Sequence, residues 1–81
     1  MTRAEAYSLI REALEEVSPA AAAKLTEECH LVKDGLVDSL DGMNFLFELE
    51  QRLDFKLKAI DEDFDDFRVS RLIDIVVEEA P

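Results

Sequence analysis

The chain is 81 residues long, enough for one domain, and its composition is that of a globular protein with unusual acidity. Twenty Asp and Glu against nine Lys and Arg give a formal net charge of −11. Phosphate-backbone binding needs clustered Lys and Arg, so nucleic acid is excluded as a partner. There is no run of about 18 apolar residues and no basic-then-apolar N-terminus. We therefore expect a cytoplasmic protein without membrane insertion.

The first predicted helix begins after Thr2, because a threonine followed three residues later by Glu5 forms a capping box. Pro19 ends this helix, since proline lacks a backbone N–H. Residues 20–38 are predicted as a long loop, with room for one helical turn over 20–24. Four apolar residues are expected to pin this loop to the core: Leu31, Val32, Leu36 and Val37. The core face of the helix is expected to consist of Ala6, Ile10, Ala13, Leu14 and Val17.

A second helix is predicted to begin at Asp38 or Ser39, both good N-caps, and to run to about Leu53. It carries two apolar stripes, although a helix in so small a domain needs only one buried face. The second stripe is either packed under the loop or exposed for a partner. The expected core face is Gly42, Phe45, Leu46, Leu49 and Leu53, and the second stripe is Leu40, Met43 and Phe47.

The C-terminal third predicts two further helices, a short one over 61–66 and an amphipathic one ending near Glu79. Phe64 and Phe67 are expected to face inward. The predicted fold class is all-α: three main helices, one short helix and a long first loop in a single domain, 1–81. The core face of the last helix is Val69, Leu72, Ile73 and Val76.

The sequence contains no complete motif for metal binding or catalysis. Asp61, Asp63 and Asp65 fit positions 1, 3 and 5 of a calcium loop, but position 6 is Asp66 instead of glycine. Position 12, which needs a glutamate that binds through both oxygens, is Leu72, so the calcium pattern fails at two positions. Cys29 and His30 are neighbours in sequence, which does not make a nucleophile and base. Cys29 is the only cysteine, so no internal disulfide forms. We expect no metal, no catalytic residue and a protein that is not an enzyme.

Ser39, within Asp38-Ser39-Leu40, has two interpretations. Serine is a common N-cap, so Ser39 can simply cap the second helix. A serine at a helix N-terminus is also exposed, and the free backbone N–H groups behind it suit an attached phosphate. Ser39 also lies at the start of the most acidic part of the chain, because residues 38–66 carry ten acidic and three basic side chains. Partners that dock on this third of the chain are expected to be basic.

The run Asp-Gly-Leu-Val-Asp-Ser-Leu-Asp at 34–41, followed by Glu-Leu-Glu at 48–50, closely resembles the acyl carrier protein family. Length, acidity, helix order and the long first loop are similar as well. The resemblance implies an acyl-carrier-like helical bundle with 4′-phosphopantetheine attached covalently to Ser39. A phosphopantetheinyl transferase would transfer this arm from coenzyme A. The protein would then be a non-catalytic carrier of thioester intermediates.

The resemblance also implies partners and a recognition surface on the second helix. The partners would be an acyl- or aminoacyl-loading enzyme and a ketosynthase, acyltransferase or other pathway enzyme with a basic docking surface. We expect a free-standing monomer. The recognition surface would consist of Asp38, Leu40, Asp41, Met43, Asn44, Phe47 and Glu50.

Several positions depart from the commonest family pattern, and Lys56 and Lys58 make the segment after the second helix more basic than is typical. Asn44 stands where fatty-acid carriers usually have an acidic residue, and Phe47 is bulkier than the usual residue. These departures favour a discrete carrier of polyketide or other specialised-metabolite biosynthesis. The alternatives within the family are a housekeeping fatty-acid carrier and a D-alanyl carrier. Outside it, the alternative is an acidic helical adaptor or nucleic-acid mimic in which Ser39 is only a helix cap.

Overall fold

A computed structural model describes residues 1–81 and contains four α-helices: α1 (Arg3–Val17), α2 (Pro19–Ala23), α3 (Ser39–Leu53) and α4 (Val69–Glu79). The predicted all-α class is confirmed, and the one β-type pairing is an isolated antiparallel bridge between His30 and Arg68. α1 packs against each of the other three helices, whereas no Cα atoms of α3 and α4 lie within 8 Å of each other. α1 is therefore the helix around which the domain is assembled. None of the helices has both the length and the apolar character needed to cross a membrane.

The start of α1 forms the predicted capping box. The Glu5 N–H donates to Thr2 Oγ1 at 3.1 Å, and the Thr2 N–H donates to Glu5 Oε1 at 3.0 Å. The bond from the Thr2 N–H lowers the pKa of the Glu5 carboxyl, because it favours the charged form. At the other end Ser18 has extended backbone, and its hydroxyl accepts the Ala21 N–H at 3.2 Å, so the same residue ends α1 and caps α2. The predicted core residues of α1 are buried except Val17, which is half-buried.

The long connection between α2 and α3 is fastened to the start of α4. Around the His30–Arg68 bridge, the Leu31 N–H donates to the Phe67 carbonyl and the Val69 N–H to the Cys29 carbonyl, both at 3.0 Å. Leu31 is fully buried, and the rest of the predicted pinning set is buried or half-buried. The loop is thus an ordered part of the core, as the sequence predicted.

The predicted short helix over 61–66 is wrong, and the short helix of this fold is α2. The Asp61 carboxylate instead accepts the Asp63 N–H at 3.0 Å, which holds a local turn that competes with helix. A helix here would also place Asp61 and Asp65, and Glu62 and Asp66, one turn apart, where like charges are destabilising. The inward orientation of Phe64 and Phe67 is nevertheless confirmed, since Phe67 is buried and the two rings pack edge to face at 5.5 Å.

Candidate functional site

The N-terminus of α3 is capped by Asp38 and not by Ser39. Asp38 has extended backbone, its carboxylate accepts the Asp41 N–H at 2.7 Å, and its carbonyl accepts the Gly42 N–H at 2.9 Å. Ser39 is the first residue inside the helix. Its side chain is exposed, and its hydroxyl forms no hydrogen bond within the protein. Capping therefore does not account for a serine at this position.

Ser39 lies where an attached anion is favoured. The N–H groups of Ser39 and Leu40 have no acceptor within the protein, because the helix begins at Ser39 and the Asp38 carboxylate takes the N–H of Asp41. Free N–H groups at a helix N-terminus, together with the helix dipole, stabilise negative charge there. An anion attached to Ser39 would therefore lie at a helix end that has two unpaired N–H groups.

The second apolar stripe of α3 is exposed. Leu40 is 71% exposed, Met43 39% and Phe47 61%. The loop therefore does not cover these side chains, and the alternative that they are buried beneath it is excluded. The core face on the other side of α3 is buried, as predicted. α3 thus presents one apolar face to the core and a second to solvent.

The loop packs on the side of α3 that carries Gly42. A Cβ built on this buried glycine would lie 3.1 Å from two ring atoms of Phe67 and 3.5 Å from Val32. A side chain at this position would therefore crowd Phe67, and the glycine does not leave an open space here. The contact joins the start of α3 to the loop and to the segment that precedes α4.

The polar residues of the expected recognition surface occupy two different environments. Asp38 and Asn44 are exposed and Asp41 is half-buried, all near Ser39. Glu50 is half-buried, and its carboxylate accepts the Leu57 N–H at 2.8 Å, which fastens the chain after α3 back onto the helix. The first three surround the N-terminal end of the exposed stripe, whereas Glu50 has a structural partner.

Two shallow grooves flank Phe47, and they include residues that the sequence did not assign to the surface. One, of about 330 Å³, lies between α3 and the returning chain and is lined by Met43, Phe47 and Ile60. The other, of about 300 Å³, lies beyond Phe47 and is lined by Phe55. Lys56 lines both. The feature of the sequence that could have indicated this region is Lys56, a basic residue in the acidic segment 38–66.

The remaining chemistry-bearing residues serve the fold. The Cys29 thiol donates to the Thr26 carbonyl at 3.2 Å, and His30 Nδ1 accepts the Lys33 N–H at 3.0 Å, so the two do not form a nucleophile–base pair. Arg68 holds Asp66 through two nitrogens at 2.7 and 2.6 Å, which lowers the pKa of the Asp66 carboxyl to about 2. No group of three or more His, Cys, Asp or Glu is placed to hold a metal ion.

No family model, curated protein or solved structure matches this chain. The basis for assigning a function is therefore the geometry around Ser39 together with the sequence motif at 34–41. Both concern the same short stretch, the entry into α3, where an exposed hydroxyl, two free N–H groups and an apolar stripe lie side by side.

Proposed function

We propose that the protein is a carrier that holds acyl or aminoacyl intermediates as thioesters on a 4′-phosphopantetheine arm attached to Ser39. The observation that carries the proposal is the exposed Ser39 hydroxyl at the first position of α3, beside a helix cap supplied by another residue. A serine that is not needed for capping and is open to solvent is suited to modification by a separate enzyme. The resemblance of residues 34–41 to the acyl carrier protein family indicates that this modification is 4′-phosphopantetheine.

Ser39 Oγ would be the nucleophile when the arm is attached. Its oxygen forms the new bond to phosphorus while the pyrophosphate bond of coenzyme A breaks, adenosine 3′,5′-bisphosphate leaves, and the serine proton passes to the transferase. The N–H groups of Ser39 and Leu40 favour the resulting negative charge at the helix N-terminus. When bound, the arm supplies a terminal thiol that forms thioesters with the cargo. No side chain of this protein acts as an acid, base or nucleophile in later steps.

The exposed stripe of α3 supplies the surface that partner enzymes would bind. We call Leu40, Met43 and Phe47, with the grooves beside them, the docking face. Large apolar side chains give contact area, while exposed charges at the rim steer the encounter and set its orientation. Because Asp38 and Asp41 lie at the start of α3, and Asp61 and Glu62 line one of the grooves, a transferase, loading enzyme or ketosynthase that uses this face would present basic residues.

The decisive test is the mass of the intact protein after co-expression with a broad-specificity phosphopantetheinyl transferase. We expect a gain of one phosphopantetheine, which Ser39→Ala abolishes. Ser70→Ala is the matched control, since Ser70 is also exposed near a helix N-terminus and should leave the gain unchanged. Ser39→Ala should change the free energy of unfolding by less than about 0.5 kcal/mol, because its hydroxyl forms no bond.

An absent mass gain, or a gain that survives Ser39→Ala, would refute the carrier proposal and leave the acidic adaptor as the better one. Within the carrier proposal we place the protein in polyketide or other specialised-metabolite biosynthesis, because Asn44 and Phe47 depart from the fatty-acid pattern. The cargo is chosen by the loading enzyme. Intact-mass measurement of the protein from its own host, with the thioester preserved, would identify it.

A further inference from the structure

Ser39 lies on a stretch of chain that is held on both sides. Two residues before it, the buried Val37 donates its N–H to the Leu31 carbonyl at 3.0 Å. Three residues after it, Gly42 lies against the Phe67 ring, and two ring atoms are 3.1 Å from the place of a Cβ. Because Ser39 is exposed and outside the core, the direction of its side chain depends on where these two contacts hold the backbone.

Both contacts lead to one pair of residues. The Leu31 N–H donates to the Phe67 carbonyl at 3.0 Å, so the residue that accepts the Val37 N–H is bonded to the residue that packs on Gly42. Leu31 is fully buried and Phe67 is 4% exposed. This Leu31–Phe67 pair joins the long loop to the segment before α4, and it supports the entry into α3 from both sides.

The Leu31–Phe67 pair is itself held by its neighbours. In the same antiparallel pairing, the Val69 N–H donates to the Cys29 carbonyl at 3.0 Å. The Phe67 ring packs edge to face on the His30 ring, with 6.4 Å between the ring centroids. The ring that lies against α3 is therefore fixed from the loop side as well as from its own backbone.

We infer that Phe67 is a positioning residue for the attachment reaction, because it holds the start of α3 so that Ser39 Oγ meets the transferase in the orientation for attack. This inference rests on the attachment at Ser39 proposed above. Attack on phosphorus requires close approach and alignment, and a misplacement of about 1 Å can lower a rate by about 10²-fold. Helix ends open locally where little packing holds them, and the contact between Phe67 and Gly42 opposes this opening at the first turn of α3.

Phe67→Leu tests the inference, because it removes the ring atoms that lie against Gly42 and keeps the position apolar. We expect kcat for transfer of the arm to fall about three- to tenfold, since a loosened helix start spends less time in the reactive orientation. The KM for the carrier should change less than about twofold, because the exposed side chains of the docking face are untouched. A purely structural role of Phe67 would lower stability without this division between kcat and KM.

Two further variants supply a control and a rescue. Ile75→Val is the matched control: Ile75 is 1% exposed and lies almost two turns after the start of α4, so buried apolar volume is removed away from α3, and kcat should stay within about twofold. Gly42→Ala in the Phe67→Leu background adds a methyl group that faces the vacated space, and it should restore about half or more of the lost kcat. Initial rates are followed by intact mass with a broad-specificity transferase and coenzyme A, at a temperature at which circular dichroism shows every variant folded.

Amide hydrogen exchange followed by NMR gives a second readout that needs no transferase. Phe67→Leu should speed exchange at Val37 and Gly42 about tenfold more than Ile75→Val does, because local opening at the start of α3 becomes easier. Equal exchange in the two variants, equal values of kcat, a loss carried by KM alone, or no rescue by Gly42→Ala would overturn the inference. If the native protein gains no arm, the proposed function fails and this inference fails with it. If the native protein gains the arm and Phe67→Leu behaves like Ile75→Val, only the positioning role is refuted.

Discussion

Replacement of Gly42 by alanine tests whether the start of α3 is held by contact with Phe67. Alanine in a helix interior is favoured over glycine by about 1 kcal/mol, so helix propensity alone predicts a more stable protein. The new Cβ would, however, lie 3.1 Å from the Cε1 and Cζ atoms of Phe67, several tenths of an ångström inside the optimal separation of about 3.5–4.0 Å. The outcome depends on whether that ring can move.

The surroundings of Phe67 indicate that the ring has little room. It is 4% exposed and packs edge to face on Phe64 at 5.5 Å and on His30 at 6.4 Å. Overpacking in such a site costs about 1–3 kcal/mol. Subtraction of the gain in propensity leaves an expected net destabilisation of about 1 kcal/mol for Gly42→Ala. In a domain of this size that loss lowers the melting temperature by about 4–8 °C.

The assay is a double-mutant cycle measured by urea unfolding, with far-UV circular dichroism as the signal. In a Phe67→Leu background the clash is relieved, and Gly42→Ala should become stabilising by up to about 1 kcal/mol. Gly35→Ala is the control: Gly35 has φ of 78° with nothing within 4 Å of a built Cβ, so its cost is backbone strain and should be the same in both backgrounds. A stabilising Gly42→Ala in the native background, or equal effects in both, would refute the reasoning.

Two further predictions concern the exposed stripe and the acidic segment. Phe47→Glu should change the free energy of unfolding by less than about 0.5 kcal/mol relative to the native protein, because Phe47 is exposed. Phe45→Glu is the control, since it places a charge at a fully buried position and should abolish cooperative unfolding. A comparable loss for Phe47→Glu would show that Phe47 belongs to the core. The pKa of Asp66, lowered to about 2 by Arg68, means that this carboxylate stabilises the fold above about pH 4 and that its contribution is lost as pH falls from 4 to 2. NMR titration should show the pKa of Asp66 return toward 3.8 in Arg68→Gln, and a native Asp66 that titrates near 3.8 would contradict the pairing.

Helices α1, α3 and α4 were predictable from the sequence because their apolar residues recur at helical spacing, and local caps mark the starts of α1 and α3. The capping box at Thr2 and Glu5 lies within four residues and needs no tertiary information. The helix predicted over 61–66 failed because a pattern of apolar spacing does not weigh local turns at Asp61 against helix. Hydrogen bonds between neighbouring residues therefore set the conformation of residues 61–66 in place of a helix.

The candidate site was predictable in its residues but not in its environment. Periodicity shows that α3 has two apolar faces, yet it does not show which face the loop covers, and only the contact of Gly42 with Phe67 and Val32 settles this. The bond from Leu57 to Glu50 depends on the left-handed turn at Asp54, and no sequence signal indicated it. Which of two N-cap candidates would cap α3 was likewise decided by backbone geometry.

The central position of α1 has a consequence for the order of events during synthesis. α1 emerges from the ribosome first, but part of its packing surface is covered by α4, which is made last of the four helices. Arg3 and Asp74 form an ion pair between the same two helices. No Cα atoms of α3 and α4 lie within 8 Å of each other, whereas α1 packs against both helices. The domain therefore reaches its final form only after residue 79 is made, and the modification of Ser39 that we propose would take place on the completed domain.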